Sequence, residues 1–163
     1  MKRTDPDEAF DRLYSEHAER LLGFLVYQTG DRALAEDVLA DTFERVLTTR
    51  RTFRGRASEK TWLYSIALNR LRDLARRRGV EQRALERAGA GAASGADELD
   101  GVEERDRLHR ALLGLSNEER VAVALRFGGD LSLREIADLL EEPQTTVEGR
   151  LYRGLRRLRD ELD

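Results

Sequence analysis

Three times between Ser116 and Glu148 a hydroxyl residue is followed, three positions on, by glutamate: "SNEE", "SLRE" and "TTVE". A Ser or Thr at a helix N-cap accepts from the backbone N–H three residues later, and a Glu there reaches back to the cap's own N–H, so the pair marks a helix start. Starts at Ser116, Ser132 and Thr145 leave room for helices of no more than about four turns between them. Gly128 and Gly129 end the first, and "EEPQ" with Pro143 separates the second from the third. With a further helix over about 102–115, this half reads as four short helices packed on one another.

The other half has longer helical stripes. Phe10, Leu13, Tyr14, His17, Leu21, Phe24 and Leu25 share one face of a helix over about 7–28. Gly30 stops it and Asp31 caps the next, which turns Leu34, Val38, Phe43, Val46 and Leu47 inward and ends near Arg50. After the basic loop "RRTFRGRAS", Ser58 caps a third helix from Glu59 to about Arg78, burying Leu63, Ile66, Ala67, Leu71 and Leu74. "AGAGAASGAD", from Ala88, lacks any large apolar residue and reads as a flexible linker. The expected fold is all-α, with two small helical domains: three helices over 1–79, a flexible acidic linker over 80–104, and a four-helix helix-turn-helix domain over 105–163.

Composition removes whole classes of function. Without Cys there is no disulfide, thiolate nucleophile or cysteine zinc site. The apolar runs are too short to span a bilayer and no signal segment opens the chain, so cytoplasmic residence without membrane insertion is expected. His17 and His109 stand apart, so no metal site is expected; Ser, His and Asp follow no catalytic order, and no glycine-rich phosphate loop is present.

The net charge of −3 hides segregation: residues 51–78 carry nine Lys or Arg against Glu59 and Asp73, a net of +7, whereas residues 79–105 carry a net of −4. Arg54, Arg56, Lys60, Arg70, Arg72, Arg76 and Arg77 are interleaved with Trp62 and Tyr64. Cations gain affinity from phosphates and aromatic rings stack on unpaired bases, although Trp62 equally suits a core. Glu36, Asp37 and Asp41 lie about one turn apart and share a face, where like charges cost a little and a basic partner would relieve the repulsion. In the last helix Val147, Leu151, Leu155 and Leu158 form an inner stripe. Thr145, Thr146, Arg150, Tyr152, Arg153, Arg156 and Arg157 are left for the outer faces, either to read DNA in the major groove or as a plain solvated basic surface.

The stretch "LSNEERVAVALRFGGDLSLREIADLLEEPQTTVEGRLYRGLRRLRDEL" resembles the promoter −35-binding domain of extracytoplasmic-function (ECF) sigma factors, specificity subunits of bacterial RNA polymerase. "GDRALAEDVLADTFERVL" resembles their polymerase-docking helix, and "FRGRASEKTWLYSIALNRLRDLARRR" their promoter-melting helix and its preceding loop. The resemblance spans nearly the whole chain in the family's order. It implies a non-enzymatic subunit without cofactor that binds core RNA polymerase and promoter DNA, directs promoter recognition, melting and initiation, and answers to an anti-sigma factor. It places polymerase binding on Glu36, Asp37 and Asp41, and −10 binding on Arg54, Arg56, Lys60, Trp62, Asn69, Arg70, Arg76 and Arg77, with base capture around residues 53–60. It places −35 binding on Thr145, Thr146, Glu148, Arg150, Tyr152, Arg153 and Arg157. The runner-up is an autonomous helix-turn-helix regulator, which has no use for an acidic docking face.

This chain departs from the family where "TTVEGR" replaces "GTVKSR": Glu148 stands for a base, and Gly149 costs roughly 1 kcal/mol of helix stability. Gly154 and Leu155 stand where small and basic residues are usual, and Ser65 and Leu68 where basic ones are frequent. The linker reaches about 80–90 Å when extended, enough to bridge elements about two DNA turns, roughly 70 Å, apart. In the free protein the two modules are expected to pack together and hide their basic surfaces against each other or against an anti-sigma factor.

Overall fold

The computed structural model describes residues 6–49, 58–88 and 102–163, and every element among them is helical. The N-terminal module contains α1 (Pro6–Thr29), α2 (Arg32–Thr49) and α3 (Glu59–Ala88). Gly30 turns left-handed at φ +67° and donates to the Val26 carbonyl at 2.7 Å, closing α1. Asp31 Oδ1 accepts from the Leu34 N–H at 3.1 Å and opens α2. Ser58 Oγ accepts from the Thr61 N–H at 3.0 Å and caps α3, as its position suggests. That helix does not stop near Arg78. "EQRALERA" consists of good helix formers, whose propensity outweighs the cost of Gly79, so the backbone stays helical to Ala88. Residues 80–88, expected as linker, are therefore helical; residues 89–101 lie outside the described part.

The C-terminal module contains α4 (Val102–Leu113), α5 (Asn117–Val123), α6 (Leu133–Leu140) and α7 (Gln144–Leu162). Ser116 Oγ accepts from the Glu119 N–H at 3.2 Å at the start of α5. Ser132 and Glu135 exchange both bonds of the capping box, at 3.1 and 2.9 Å. The third start signal fails. Glu141 turns left-handed at φ 54° to end α6, and Pro143 stands directly before α7, without side-chain capping. Its carbonyl already accepts from Thr146 and Val147 at 3.0 and 3.2 Å, which puts Thr145 and Glu148 inside the helix.

One core runs through both modules. Leu21, Phe24, Leu25, Val38, Leu63 and Tyr64 are buried together with Val123, Leu125, Leu131, Ile136 and Val147. Two residues expected inside, Tyr14 and Leu47, are each 48% exposed. Tyr14 still lies 4.8 Å from the Phe43 ring, whereas Leu47 turns outward beside the buried Val46.

The modules meet at a helical irregularity. α5 continues into a π-helical turn, Ala124–Gly128, in which Gly129 N–H reaches the Ala124 carbonyl at 2.9 Å. The wider turn brings Gly128 against α1. A Cβ on Gly23 would stand 2.6 Å from the Gly128 carbonyl oxygen, and one on Gly128 2.8 Å from that of Gly23. Beside this contact the Tyr64 ring packs against Phe24, 5.7 Å between centroids, and its hydroxyl donates to the Gly129 carbonyl at 3.2 Å. Burial pushes the phenol well above its ordinary pKa, so it remains a donor. The His109 ring fills the space that a side chain on Gly30 would need, which gives that histidine a packing role.

Two ion pairs flank the contact, Arg20–Asp130 at 2.7 Å and Lys60–Glu135 at 3.1 Å. Arg20 and Asp130 are both more than half exposed, so their pair contributes about 0–1 kcal/mol at most. Leaving the carbonyl of Gly129 buried and unbonded would cost about 1–3 kcal/mol. Backbone proximity and the Tyr64 bond therefore hold the modules more firmly than surface charge does.

Replacing Gly128 by Ala is expected to force the modules apart while each keeps its helices. Small-angle scattering should give a larger radius of gyration at unchanged far-ultraviolet circular dichroism. An unaltered radius would mean that the glycine contact does not set the closure.

Candidate polymerase and promoter interfaces

On α2 the expected acidic trio does not act as one group. Glu36 and Asp37 are exposed, and Glu36 accepts from Arg32 Nε at 3.1 Å within the same helix. Asp41 is half-buried and turned toward α3, where its Oδ2 accepts from Arg70 Nε at 3.0 Å and lies 2.9 Å from Nη2. Its place on the outer face is taken by Glu44, which the sequence reading did not include; Asp37, Ala40, Glu44 and Leu47 form an exposed stripe. The heptad step from Asp37 to Glu44 was the available signal.

Between α2 and α3 opens a cleft of about 690 Å³, lined by Asp41, Thr48, Trp62, Ser65, Asn69 and Arg70 among others. Trp62 is half-buried at its wall, and its carbonyl accepts from Ser65 Oγ at 2.6 Å. Trp62, Asn69 and Arg70 are thus brought together. Lys60 is not: it points to the other side of α3 and pairs with Glu135. Partial burial raises the Glu135 pKa, but hydrogen bonds from the Ser132 backbone and Lys60 outweigh it, leaving the carboxylate below its ordinary value. Tyr64, suggested as a stacking face, is wholly buried. Arg76 pairs with Asp73 on the same helix, and Arg72 and Arg77 are exposed. Arg54, Arg56 and most of the stretch expected to capture a base lie outside the described residues.

The arginines of α7 separate into held and open ones. Arg150 keeps only 13% of its side chain exposed and is tied to Glu142 at 3.1 Å and to Glu118 at 3.8 Å. Arg157 reaches the buried Glu119 carboxylate at 3.6 Å. Thr145, Arg153, Arg156 and Tyr152, the last 68% exposed, face outward; Thr146 is half-buried. The inner stripe also differs from expectation. Gly154 is buried 3.0 Å from Val123 Cγ2, measured from the Cβ it lacks, while Leu155 is 39% exposed. Helix α5 approaches α7 so closely at Gly154 that an added Cβ would press on Val123, and Leu155 is left outside. Arg126, Arg134 and Gln144 join Glu148 and Leu155 along a groove between the π turn, α6 and α7; these three were absent from the sequence reading because they come from separate elements.

Among the described residues no three His, Asp or Glu side chains are grouped to hold a metal ion. No described helix is long and apolar enough to cross a membrane. One module carries a helix-turn-helix face and the other a cleft between an acidic and a basic helix. Comparison with known proteins identifies the family. The sigma-70 region 2 family matches residues 13–80, and the sigma-70 region 4 family matches residues 105–158. The ECF RNA polymerase sigma factor SigX of Bacillus subtilis is 33% identical over 96% of this chain and 85% of its own length. The RNA polymerase sigma factor CarQ of Myxococcus xanthus is 34% identical over 97% and 91%. Among solved structures, the sigma factor RpoE of Bartonella quintana in complex with the anti-sigma factor NepR superposes with a TM-score of 0.79 at 23% identity, covering 95% of this chain and 97% of that one. CnrH in complex with the cytosolic domain of CnrY gives 0.74 at 25% identity, covering 96% and 89%. The chain belongs to the ECF sigma factors of bacterial RNA polymerase. As a sigma factor it binds core polymerase and directs promoter recognition and initiation.

The two glycines of α7 should respond oppositely to alanine. At Gly149 the nearest obstacle is the flexible Arg153 guanidinium, 3.3 Å from the added Cβ, which moves aside. Gly149→Ala should therefore raise stability by about 0.5–1 kcal/mol, whereas Gly154→Ala should lower it by pressing on Val123. Urea unfolding of both variants checks the pair of signs.

Proposed function

We propose that Asp37, Glu44 and Glu36 form the surface that docks on core polymerase, that the α2–α3 cleft takes an unpaired base of the −10 element, and that the outer face of α7 reads the −35 duplex. The observation that carries the last assignment is the division of the α7 arginines. Arg150 and Arg157 are engaged by glutamates within the protein. Arg153 and Arg156 have no hydrogen bond or ion pair with any described residue and stand beside exposed Tyr152 and Thr145. Such side chains cost the fold little and are free for base edges and phosphates. In the cleft, Trp62 supplies a stacking wall, Asn69 a donor and acceptor, and Arg70 a cation oriented by Asp41. Asp41 then acts through Arg70 rather than on the polymerase. The protein acts in the cytoplasm and catalyses no reaction itself.

The closed arrangement restrains this activity by geometry. Lys60 is taken up by Glu135, but Arg77, Arg153 and Arg156 remain exposed, so closure of the modules on each other leaves these basic residues uncovered and only an anti-sigma factor would hide them. A packed chain of this length is only about 40 Å across, too short for two promoter elements roughly 70 Å apart. Core polymerase is expected to part the modules. A protein partner of the anti-sigma type would keep them together; the similar sigma factor RpoE is in complex with an anti-sigma factor, NepR.

Reversing Asp37 and Glu44 to Lys together should abolish binding to core polymerase in a pull-down and eliminate run-off transcription, with helicity intact. Undiminished binding would remove the docking assignment. Arg153→Ala should weaken binding of the holoenzyme to the −35 element and reduce the steepness of its salt dependence.

A further inference from the structure

Glu148 is an anomaly on a helix that meets polyanionic DNA. It does nothing for the fold: it lies inside α7 rather than at its cap, is exposed, and forms no hydrogen bond or ion pair with any described residue. Its place is nevertheless defined. It lines the groove between the π turn, α6 and α7 together with Arg126, Arg134 and Gln144. Arg126 is oriented by the Leu131 carbonyl at 3.3 Å, by the Asp130 carboxylate at 3.7 Å and by the Phe127 ring. Arg134 occupies the first turn of α6 and, like Glu148, is exposed and unpaired among the described residues.

We propose that Glu148 makes −35 recognition depend on a cytosine, its carboxylate accepting a hydrogen bond from the cytosine N4 amino group in the major groove. This deepens the assignment of α7 as the −35 reader and rests on it. A carboxylate offers acceptors only. Guanine presents N7 and O6, and thymine O4, all acceptors, so both repel it. Adenine presents a donor beside the N7 acceptor, a pattern suited to an amide but not to a carboxylate. Cytosine presents its N4 donor with no competing acceptor at the groove edge. Recognition therefore works as much by excluding three bases as by attracting one. Arg126 and Arg134 supply the positive potential that allows an anion to approach the duplex, and Arg134, on the first helix of the helix-turn-helix, stands where that helix crosses the phosphate backbone.

The test uses holoenzyme, assembled from core polymerase and the full chain, transcribing a promoter library randomised through the −35 element. Sequenced transcripts give the preference at each position for the parent, Glu148→Gln, Glu148→Lys, Glu148→Ala and Arg153→Ala. The parent should prefer cytosine by about tenfold at one position. At that position Glu148→Gln should turn the preference to adenine, Glu148→Lys to guanine, and Glu148→Ala should flatten it, with the other positions unchanged. If Arg153→Ala alters the −35 profile while the Glu148 variants leave it as it was, the cytosine contact is overturned and α7 remains the reader. If neither alters it, the assignment of α7 falls, and the cytosine contact with it.

Discussion

The closed form depends on the approach of two glycine backbones. Gly23 on α1 and Gly128 on the π turn leave no room for a side chain between them, and only this proximity lets Tyr64 reach the Gly129 carbonyl. Phe24, Tyr64, Leu125 and Leu131 then complete a core that neither module would close alone. The small C-terminal module gains most, since a domain of its size buries too little apolar surface to be firmly stable by itself. Stability and closure are thereby linked: opening the modules exposes apolar surface that a partner must cover.

The charges fall into those that build the fold and those that are left over. Asp41 and Arg70 tie α2 to α3, Lys60 and Glu135 tie the modules, and Arg150 ties α7 to the ends of α5 and α6. Each of these residues looks, from its type and spacing, as available for a partner as Asp37, Arg153 or Arg156. Net charge and local clusters do not distinguish the groups, because the difference lies in what stands opposite in space.

The helices and their order were legible in the sequence because they rest on local rules: the left-handed Gly30, the Asp31 cap, and the Ser116 and Ser132 starts all act within one turn. The third start failed for a local reason as well, since the left-handed Glu141 and Pro143 begin the helix before Thr145 can cap it. Where long-range packing decides, the sequence was less informative. Leu155 and Gly154 exchanged places because α5 lies so close to α7. Tyr64, chosen as a surface aromatic, became the centre of the inter-module core. The acidic face lost Asp41 to Arg70 and gained Glu44, and the groove around Glu148 drew Arg126 and Arg134 from elements that periodicity treats separately.

The π turn places the relation between the modules under the control of a single residue. Its wider ring holds one residue more than an α-helical turn, and each residue of an α-helix advances about 100° around the axis. Losing any one residue between Ala124 and Gly128 would restore the ordinary ladder and rotate everything beyond it by that angle. Gly128 would leave α1 and the Gly129 carbonyl would turn from Tyr64, and α6 and α7 would turn with them against α5, so that Gly154 would leave Val123 and Arg150 would leave Glu118. The extra residue thus serves two fits at once: it seats the turn on α1 and keeps α7 against α5.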